Sequence, residues 1–367
     1  MAGESGSGRI AVLGAGHGGA ATAAHLTLQG FEVRMHVRDA EKRRRFAAGI
    51  EARGIATGIA KPALVTDDVA AAVEGADLVS VIVPAVGHDF YAAALAKLLP
   101  TVSTIMLNPG HTGGALHFLK SFRDAGGKPV TLCETTTLTY ICRMEGPATV
   151  GIYSATTRLR FAALPAIDTA KAAALVRRFF PNIEPVANVL ETGFMNINAV
   201  LHVAGTLMNA GWIEFTGGNF LFYREAVTPS VGRVIERLDE ERIAVGRALG
   251  LDLPPTVDLF HSAGLTTEAA RRSGSISRAC VESEPNKTIK APPSLRHRYV
   301  DEDIAFGLVP MSELGRLCGV PTPVIDCLIA LGAAANGRDY RASGLTLARM
   351  GLDGADLARL KSFVERG

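Results

Sequence analysis

The chain has little net charge, few cysteines and no long uninterrupted apolar run, and each shortage removes a class of function. Its formal net charge is +2 over 367 residues, with no basic stripe interleaved with aromatics, so nucleic acid is not an expected partner. The five cysteines, Cys133, Cys142, Cys280, Cys318 and Cys327, are odd in number, irregularly spaced and without any C-x-x-C. That pattern gives neither a disulfide framework nor a zinc site, and a reducing, cytoplasmic setting suits it. The apolar stretch 10–26 imitates a signal segment, but Gly14, Gly16, Gly18, Gly19 and His17 break it into strand, turn and helix. No apolar run reaches the roughly 20 residues of a membrane span, so no membrane partner is expected.

What is present is the balance of a globular protein, 48% hydrophobic and 20% charged, over a length that suggests two domains. Residues 1–8 are rich in Gly and Ser and read as a disordered tail. Strands are expected at 9–13, 32–37, 78–83, 104–107 and 130–134, with helices at 18–28, 90–98 and 113–125 between them. Such alternation predicts an α/β fold, a Rossmann domain with a parallel sheet over 9–188. Further strands are expected at 148–153 and 158–163, then a helix at 169–180. Arg43-Arg44-Arg45 reads as a solvated helix face.

The character changes near Asn188, and 189–367 is expected to be an all-helical domain. Thr228-Pro229 and Thr322-Pro323 are helix starts, with Thr as N-cap and Pro at the first helical position. The helix after Pro323 carries an apolar run, 324–331, that suits a homodimer face. Residues 252–309 are rich in Pro, Ser, Thr and Arg with few periodic apolar positions, which predicts a long irregular loop, functional or disordered.

Gly14-Ala15-Gly16-His17-Gly18-Gly19 follows the first strand and opens the first helix. In that context G-x-G-x-x-G is a dinucleotide cradle: a tight turn, close backbone approach to a pyrophosphate, and helix–strand contact. Pro84-Ala85 and Asn108 follow later strands at their carboxyl ends, where open parallel sheets bind ligands. At the end of the second strand the usual acidic position falls on Val37, and Arg38 follows. Asp39, about 20 residues past the last glycine, has the spacing of an NAD-type ribose carboxylate, but in the favoured strand register it reads as a helix N-cap. A forked cation there suits a 2′-phosphate, so NADP(H) is favoured over NAD(H), with Arg38 helped by Arg43 or Arg44. On a helix, Asn198 and His202 share a face, and an imidazole titrating near neutrality is the default acid/base beside hydride chemistry. Arg298 through Asp303 adds a cation that could grip a carboxylate and an Asp that could orient the imidazole.

At these residues the chain resembles the opine dehydrogenase family, of the octopine/nopaline type. The resemblance is carried by the glycine motif, Asn108-Pro109-Gly110, Thr112-Gly113-Gly114, Glu134-Thr135-Thr136 and Asn196-Ile197-Asn198 with His202. It continues through Phe222-Tyr223-Arg224-Glu225, Thr228-Pro229-Ser230-Val231, Arg298-Tyr299, Glu302-Asp303 and Gly307-Leu308-Val309-Pro310. It implies a helical C-terminal domain like that of 6-phosphogluconate dehydrogenase, and NAD(P)H-dependent condensation of a 2-oxo acid with the amine of an amino acid. By similarity, His202 is the acid/base, Asp303 its partner and Arg298 the oxo-acid anchor, with Glu134 near the amino-acid substrate. The chain departs from the family pattern at His111, where Arg is usual, and at Thr139, where Pro is common. Ketopantoate-type 2-oxo acid reductases and glycerol-phosphate-type dehydrogenases share the plan but place a lysine at the start of the helical domain, and residues 188–217 contain none. A non-catalytic NAD(P) sensor is expected to have lost His202 or Arg298, and both are present.

Overall fold

Short runs of β-branched and aliphatic residues form the centre of the first unit. In β1 (Arg9–Leu13), Ile10 to Leu13 have no exposed surface, as expected of a strand covered on both faces. The computed structural model describes residues 8–98 and 104–367, so nearly all of the 1–8 tail lies outside the described residues. The further strands are β2 (Glu32–His36), β3 (Ile50–Gly54), β4 (Gly58–Ala60), β5 (Leu64–Thr66), β6 (Leu78–Val81), β7 (Thr104–Leu107), β8 (Thr131–Thr135), β9 (Tyr140–Met144), β10 (Thr149–Ala155), β11 (Leu159–Leu164) and β12 (Ile183–Pro185).

Among the described residues an eight-stranded sheet runs β12-β11-β8-β7-β6-β1-β2-β5. Its strands pair in parallel except β8 with β11, so the expected parallel sheet is interrupted at one position. Strand order reverses at β1, which lies between β2 and β6 and so opens a crevice at its carboxyl end. A second sheet, β4-β3-β10-β9, was not foreseen from the sequence. Its strands come from 50–60 and 140–155, and segments so distant show no common period. Val150 and Ile152 of β10 and Tyr140 of β9 join the buried cluster formed around helix His17–Leu28.

By backbone contacts the chain divides into residues 1–192 with 362–367, and residues 193–361. Among the described residues the second unit is helical apart from one bridge, Leu221 to Lys290. Helix Pro229–Leu249 starts at Thr228 and ends on Gly250 in the left-handed region, and helix Pro323–Asn336 starts at Thr322. The Glu241 carboxylate accepts from Val324 N and Ile325 N at 2.9 and 3.0 Å, satisfying the first turn of that second helix. Ile325, Leu328 and Ile329 are buried within the unit while Leu331 is 45% exposed. The stripe expected to serve as a dimer face is therefore largely core.

The 252–309 stretch is a larger correction. It folds into helices Thr256–Ser262, Glu268–Ser273, Ile276–Val281 and Arg298–Asp303. The Thr267 and Ser275 hydroxyls accept from Ala270 N and Arg278 N, so residues that read as loop chemistry are N-caps. Helices of six or seven residues are too short to show a 3.6-residue repeat. No described helix is long and apolar enough to cross a membrane.

Candidate active site

In the first unit, the loop after β1 meets the demands of a dinucleotide cradle. Gly14 has φ +126°, and a Cβ there would land on the Ile82 carbonyl. A Cβ on Gly19 would strike the Gly14 carbonyl, so the helix can approach the strand only with glycine at this position. A Cβ on Gly16, by contrast, would meet nothing within 4 Å, which leaves open space beside the loop. Gly16 is also the N-cap of helix His17–Leu28, which has no side-chain cap and no acidic residue in its first turn. Its free N–H groups and positive dipole end suit an anion. Gly18 is buried in the same turn. His17 accepts from Met144 N through Nδ1 at 2.8 Å, which ties the loop to the second sheet. The residues present therefore fit a dinucleotide.

Two expected site residues, Asn108 just after β7 and Glu134 within β8, turn inward. Asn108 is 1% exposed, and Thr139 bonds its amide at both ends, through Thr139 N at 3.2 Å and the Thr139 hydroxyl. Its side chain fastens the loop after β7 to the start of β9. Glu134 is also 1% exposed. One carboxyl oxygen accepts from Ala115 N at 3.0 Å and the other bonds the Thr192 hydroxyl. Burial pushes its carboxyl up to about 8. Pro84 caps a short turn in which Ala85 is buried, after β6. His111 holds φ +65°, a conformation unusual for a residue with a Cβ, and is buried.

At the end of β2 the local chemistry separates the basic residues. The Asp39 carboxylate caps helix Ala40–Ala48 by accepting from Lys42 N at 2.6 Å, as its position predicted. Arg43 pairs with Asp67 at 2.9 Å, and Arg44 and Arg45 both pair with Glu41. Arg43 and Arg44 are thus neutralised, contrary to the helper role expected of them. Arg38 is exposed and stacks its guanidinium on the Phe90 ring, 5.2 Å from the centroid. Lys42, which sequence reasoning passed over, donates to the Ala15 carbonyl of the glycine loop at 3.2 Å.

In the second unit, helix Asn198–Leu207 carries His202, with Asn198 one turn earlier and half-buried. His202 Nδ1 lies 2.8 Å from Asp303 Oδ2, and Nε2 lies 3.1 Å from the Tyr223 hydroxyl. Tyr299 stacks on the imidazole at 3.7 Å between centroids and 11° between planes. Burial holds the Tyr223 hydroxyl well above the ordinary tyrosine range, so it is a neutral donor. Asp301, two residues before Asp303 on helix Arg298–Asp303, is taken up by Tyr340 and Arg338 at 2.6 and 3.0 Å. Arg298 meets Glu302 through Nε at 3.2 Å, with its side chain 55% exposed.

The backbone around this cluster departs twice from α geometry. Asp303 ends helix Arg298–Asp303, directly before a π-helical turn, Ile304–Leu308, and Tyr223 lies within another, Phe222–Ala226. Pro310, the second residue of the next helix, Val309–Leu317, has no N–H, and its ring crowds the carbonyl four residues back, which favours widening there. A Cβ on Gly307 would land on Ala199, so this glycine lets the turn after Asp303 approach the helix of His202. Tyr223 and Tyr299 stand in segments quoted for the family resemblance, but their contacts with His202 span 21 and 97 residues and follow no helical or strand period.

Comparison with known proteins agrees with this geometry. Residues 185–336 match the family model of the NAD/NADP octopine/nopaline dehydrogenase α-helical domain, and residues 9–121 match that of the NAD-dependent glycerol-3-phosphate dehydrogenase N-terminus. The chain is 39% identical over 360 residues to an opine dehydrogenase of Arthrobacter sp. (strain 1C), covering 97% of this chain and 98% of that one. In fold it is similar to octopine dehydrogenase solved with NADH and L-arginine, with TM-score 0.79, 19% identity and 98% and 99% of the two chains covered. It is also similar to a yersinopine dehydrogenase with NADP+ bound, with TM-score 0.71, 16% identity and 98% and 97% covered. A glycine cradle and a His–Asp dyad, in a chain aligned over nearly its whole length with such a relative, place it in the opine dehydrogenase family of NAD(P)-dependent oxidoreductases acting on CH–NH bonds.

Proposed function

We propose that this chain condenses a 2-oxo acid with the amino group of an amino acid and reduces the product to a secondary-amine dicarboxylate, and catalyses the reverse oxidation. The observation that carries the reading is the buried His202–Asp303 pair at 2.8 Å. Loss of water from the condensation adduct needs a proton, and the reverse addition needs a base. An imidazole oriented by a carboxylate supplies both. Arg298 is the proposed anchor of the oxo-acid carboxylate, since a guanidinium fork fits a carboxylate in bidentate fashion. Asn198, on the His202 helix, is the proposed polar contact for substrate. Gly14, Gly16, Gly18 and Gly19, the Pro84-Ala85 turn and the backbone at His17 and Asn108 form the proposed cofactor cradle. When bound there, the dinucleotide supplies the hydride. The free thiols suit a reducing compartment, and the cytoplasm is the proposed location.

The test is a panel of 2-oxo acids and amino acids followed by NADPH absorbance. Oxidation should require both members of a pair. Oxidation with an oxo acid alone would point to a 2-oxo acid reductase, and none with any pair would sink the proposal.

For the cofactor we propose NADP(H) over NAD(H). Among the described residues of 38–45, Arg38 and Lys42 are the cations without a carboxylate partner, and Asp39 is committed to its helix cap. A 2′-phosphate would give them an anionic partner, whereas NADH has only a neutral ribose hydroxyl in its place. Titration with 2′,5′-ADP and with 5′-AMP measures this directly. The wild type should bind 2′,5′-ADP at least tenfold more tightly, and Arg38→Ala with Lys42→Ala should remove the difference. Equal affinity in the wild type would refute the preference.

A further inference from the structure

We propose that Tyr223 carries the proton between His202 Nε2 and the reacting oxygen of the substrate, so that the imidazole acts through the phenol and not by direct contact. The proposal rests on the condensation reading above. Both ring nitrogens of His202 are occupied, Nδ1 by Asp303 at 2.8 Å and Nε2 by the Tyr223 hydroxyl at 3.1 Å. A carboxylate can only accept, so Nδ1 carries the hydrogen, and the Nε2 lone pair faces the phenolic O–H. A proton added to the imidazole resides on Nε2 and points at Tyr223 Oη. The phenol's own hydrogen is then free to be passed on.

Tyr223 is held in this position. The Glu225 carboxylate accepts from Leu221 N at the start of the π-helical turn, and Asn209 donates to the Ala226 carbonyl at 3.0 Å at its end. Tyr299 covers one face of the imidazole, and the Phe222 ring meets it at 6.0 Å edge-to-face. The charged and titratable groups around the pair are Asp303 on Nδ1, Tyr299 on the ring face, His297 beyond Tyr299, and Cys280 facing the phenol. None of these lies between Nε2 and Oη.

The step balances without a free tyrosinate. In the adduct of amine and oxo acid, the nitrogen lone pair forms the C=N bond as the C–O bond breaks. The departing hydroxyl takes the phenolic proton and leaves as water, while His202 Nε2–H passes its proton to Tyr223 Oη. The products are a neutral imidazole, a neutral phenol and an iminium. Burial disfavours a discrete tyrosinate, so the two transfers are concerted.

The test is Tyr223→Phe in the full-length enzyme, read by single-turnover NADPH oxidation in mixtures of H2O and D2O. The wild type should give a curved proton inventory, from two protons in flight, and the variant a linear one with a rate about 10²-fold lower. An inventory unchanged by the substitution overturns the proposal whatever the rate. A second measurement needs no turnover: ¹⁵N-histidine NMR of the substrate-free protein, in which Tyr223→Phe should move the His202 Nε2 resonance. An unmoved resonance overturns the relay. If no substrate pair is turned over by the wild type, the condensation reading falls, and this resonance still decides whether the phenol serves the imidazole.

Discussion

His202→Ala is expected to bind dinucleotide as the wild type does while turnover falls about 10²–10⁴-fold, the usual contribution of a positioned acid/base. The two readouts separate because the residues proposed to hold the cofactor lie in the first unit and His202 in the second. The imidazole is buried, oriented by Asp303 and covered by Tyr299, so its removal takes away the proposed proton donor at the centre of the cluster. Asp303→Asn should also be slow, because an amide that donates toward Nδ1 favours the other tautomer. Dinucleotide affinity by fluorescence and kcat by absorbance check both variants. Turnover of His202→Ala within a few-fold of wild type would remove the imidazole from the chemistry.

Glu134→Gln is expected to make the protein more resistant to denaturant at pH 8 than the wild type. The Thr192 hydroxyl has one hydrogen and two oxygens in reach, Val189 O at 3.0 Å and Glu134 Oε1. If it donates to Val189, the Glu134 carboxyl must be the donor in the second bond, which requires its acid form. Burial agrees, raising this carboxyl from 4.5 to about 8. The sign follows from counting protons. Between those two values the folded chain holds a proton that the unfolded chain has released, so stability falls as pH rises through the window and levels off above it. The slope is about 1.4 kcal/mol per pH unit, on the order of 5 kcal/mol across the window. Glutamine has the shape of the protonated acid, donating to Thr192 and accepting from Ala115 N, and has no charge to release. Urea unfolding of both proteins from pH 5 to 9 should show the wild-type slope and its absence in the variant. Parallel profiles would mean that Glu134 is ionised in the fold. A more than tenfold rise in the amino-acid KM of the variant would instead restore the substrate contact that the family resemblance implies.

The contrast between Glu134 and His202 shows how much of the site was legible. Both were picked out by motif, yet one carboxyl closes a contact inside the first unit and the other side chain stands at the centre of a cluster. Short-range signals read well. The glycine loop, the Asp39 cap, and the proline at the start of the helices after Thr228 and Thr322 are fixed by neighbours in the chain, where sterics act locally, although neither threonine hydroxyl caps its helix. The strand–helix alternation of the first unit read well for the same reason. Segment 252–309 did not, because helices of about six residues lack a repeat and depend on packing.

By itself, the sequence determined the glycine loop and the two-part plan, since these rest on local backbone chemistry, while His202 and Asp303 became candidates through the family resemblance. Only the tertiary structure decided which carboxylate meets His202, that Tyr223 and Tyr299 enclose it, and that Lys42, like Arg38, has no carboxylate partner where Arg43 and Arg44 have one. Most of those outcomes depend on partners tens of residues apart: Asp67 pairs with Arg43, and Tyr340 and Arg338 engage Asp301, while only the pairs of Glu41 with Arg44 and Arg45 lie within one helical turn. Which charges remain free is settled by the whole set of competing pairs, and no local pattern in the chain records that competition.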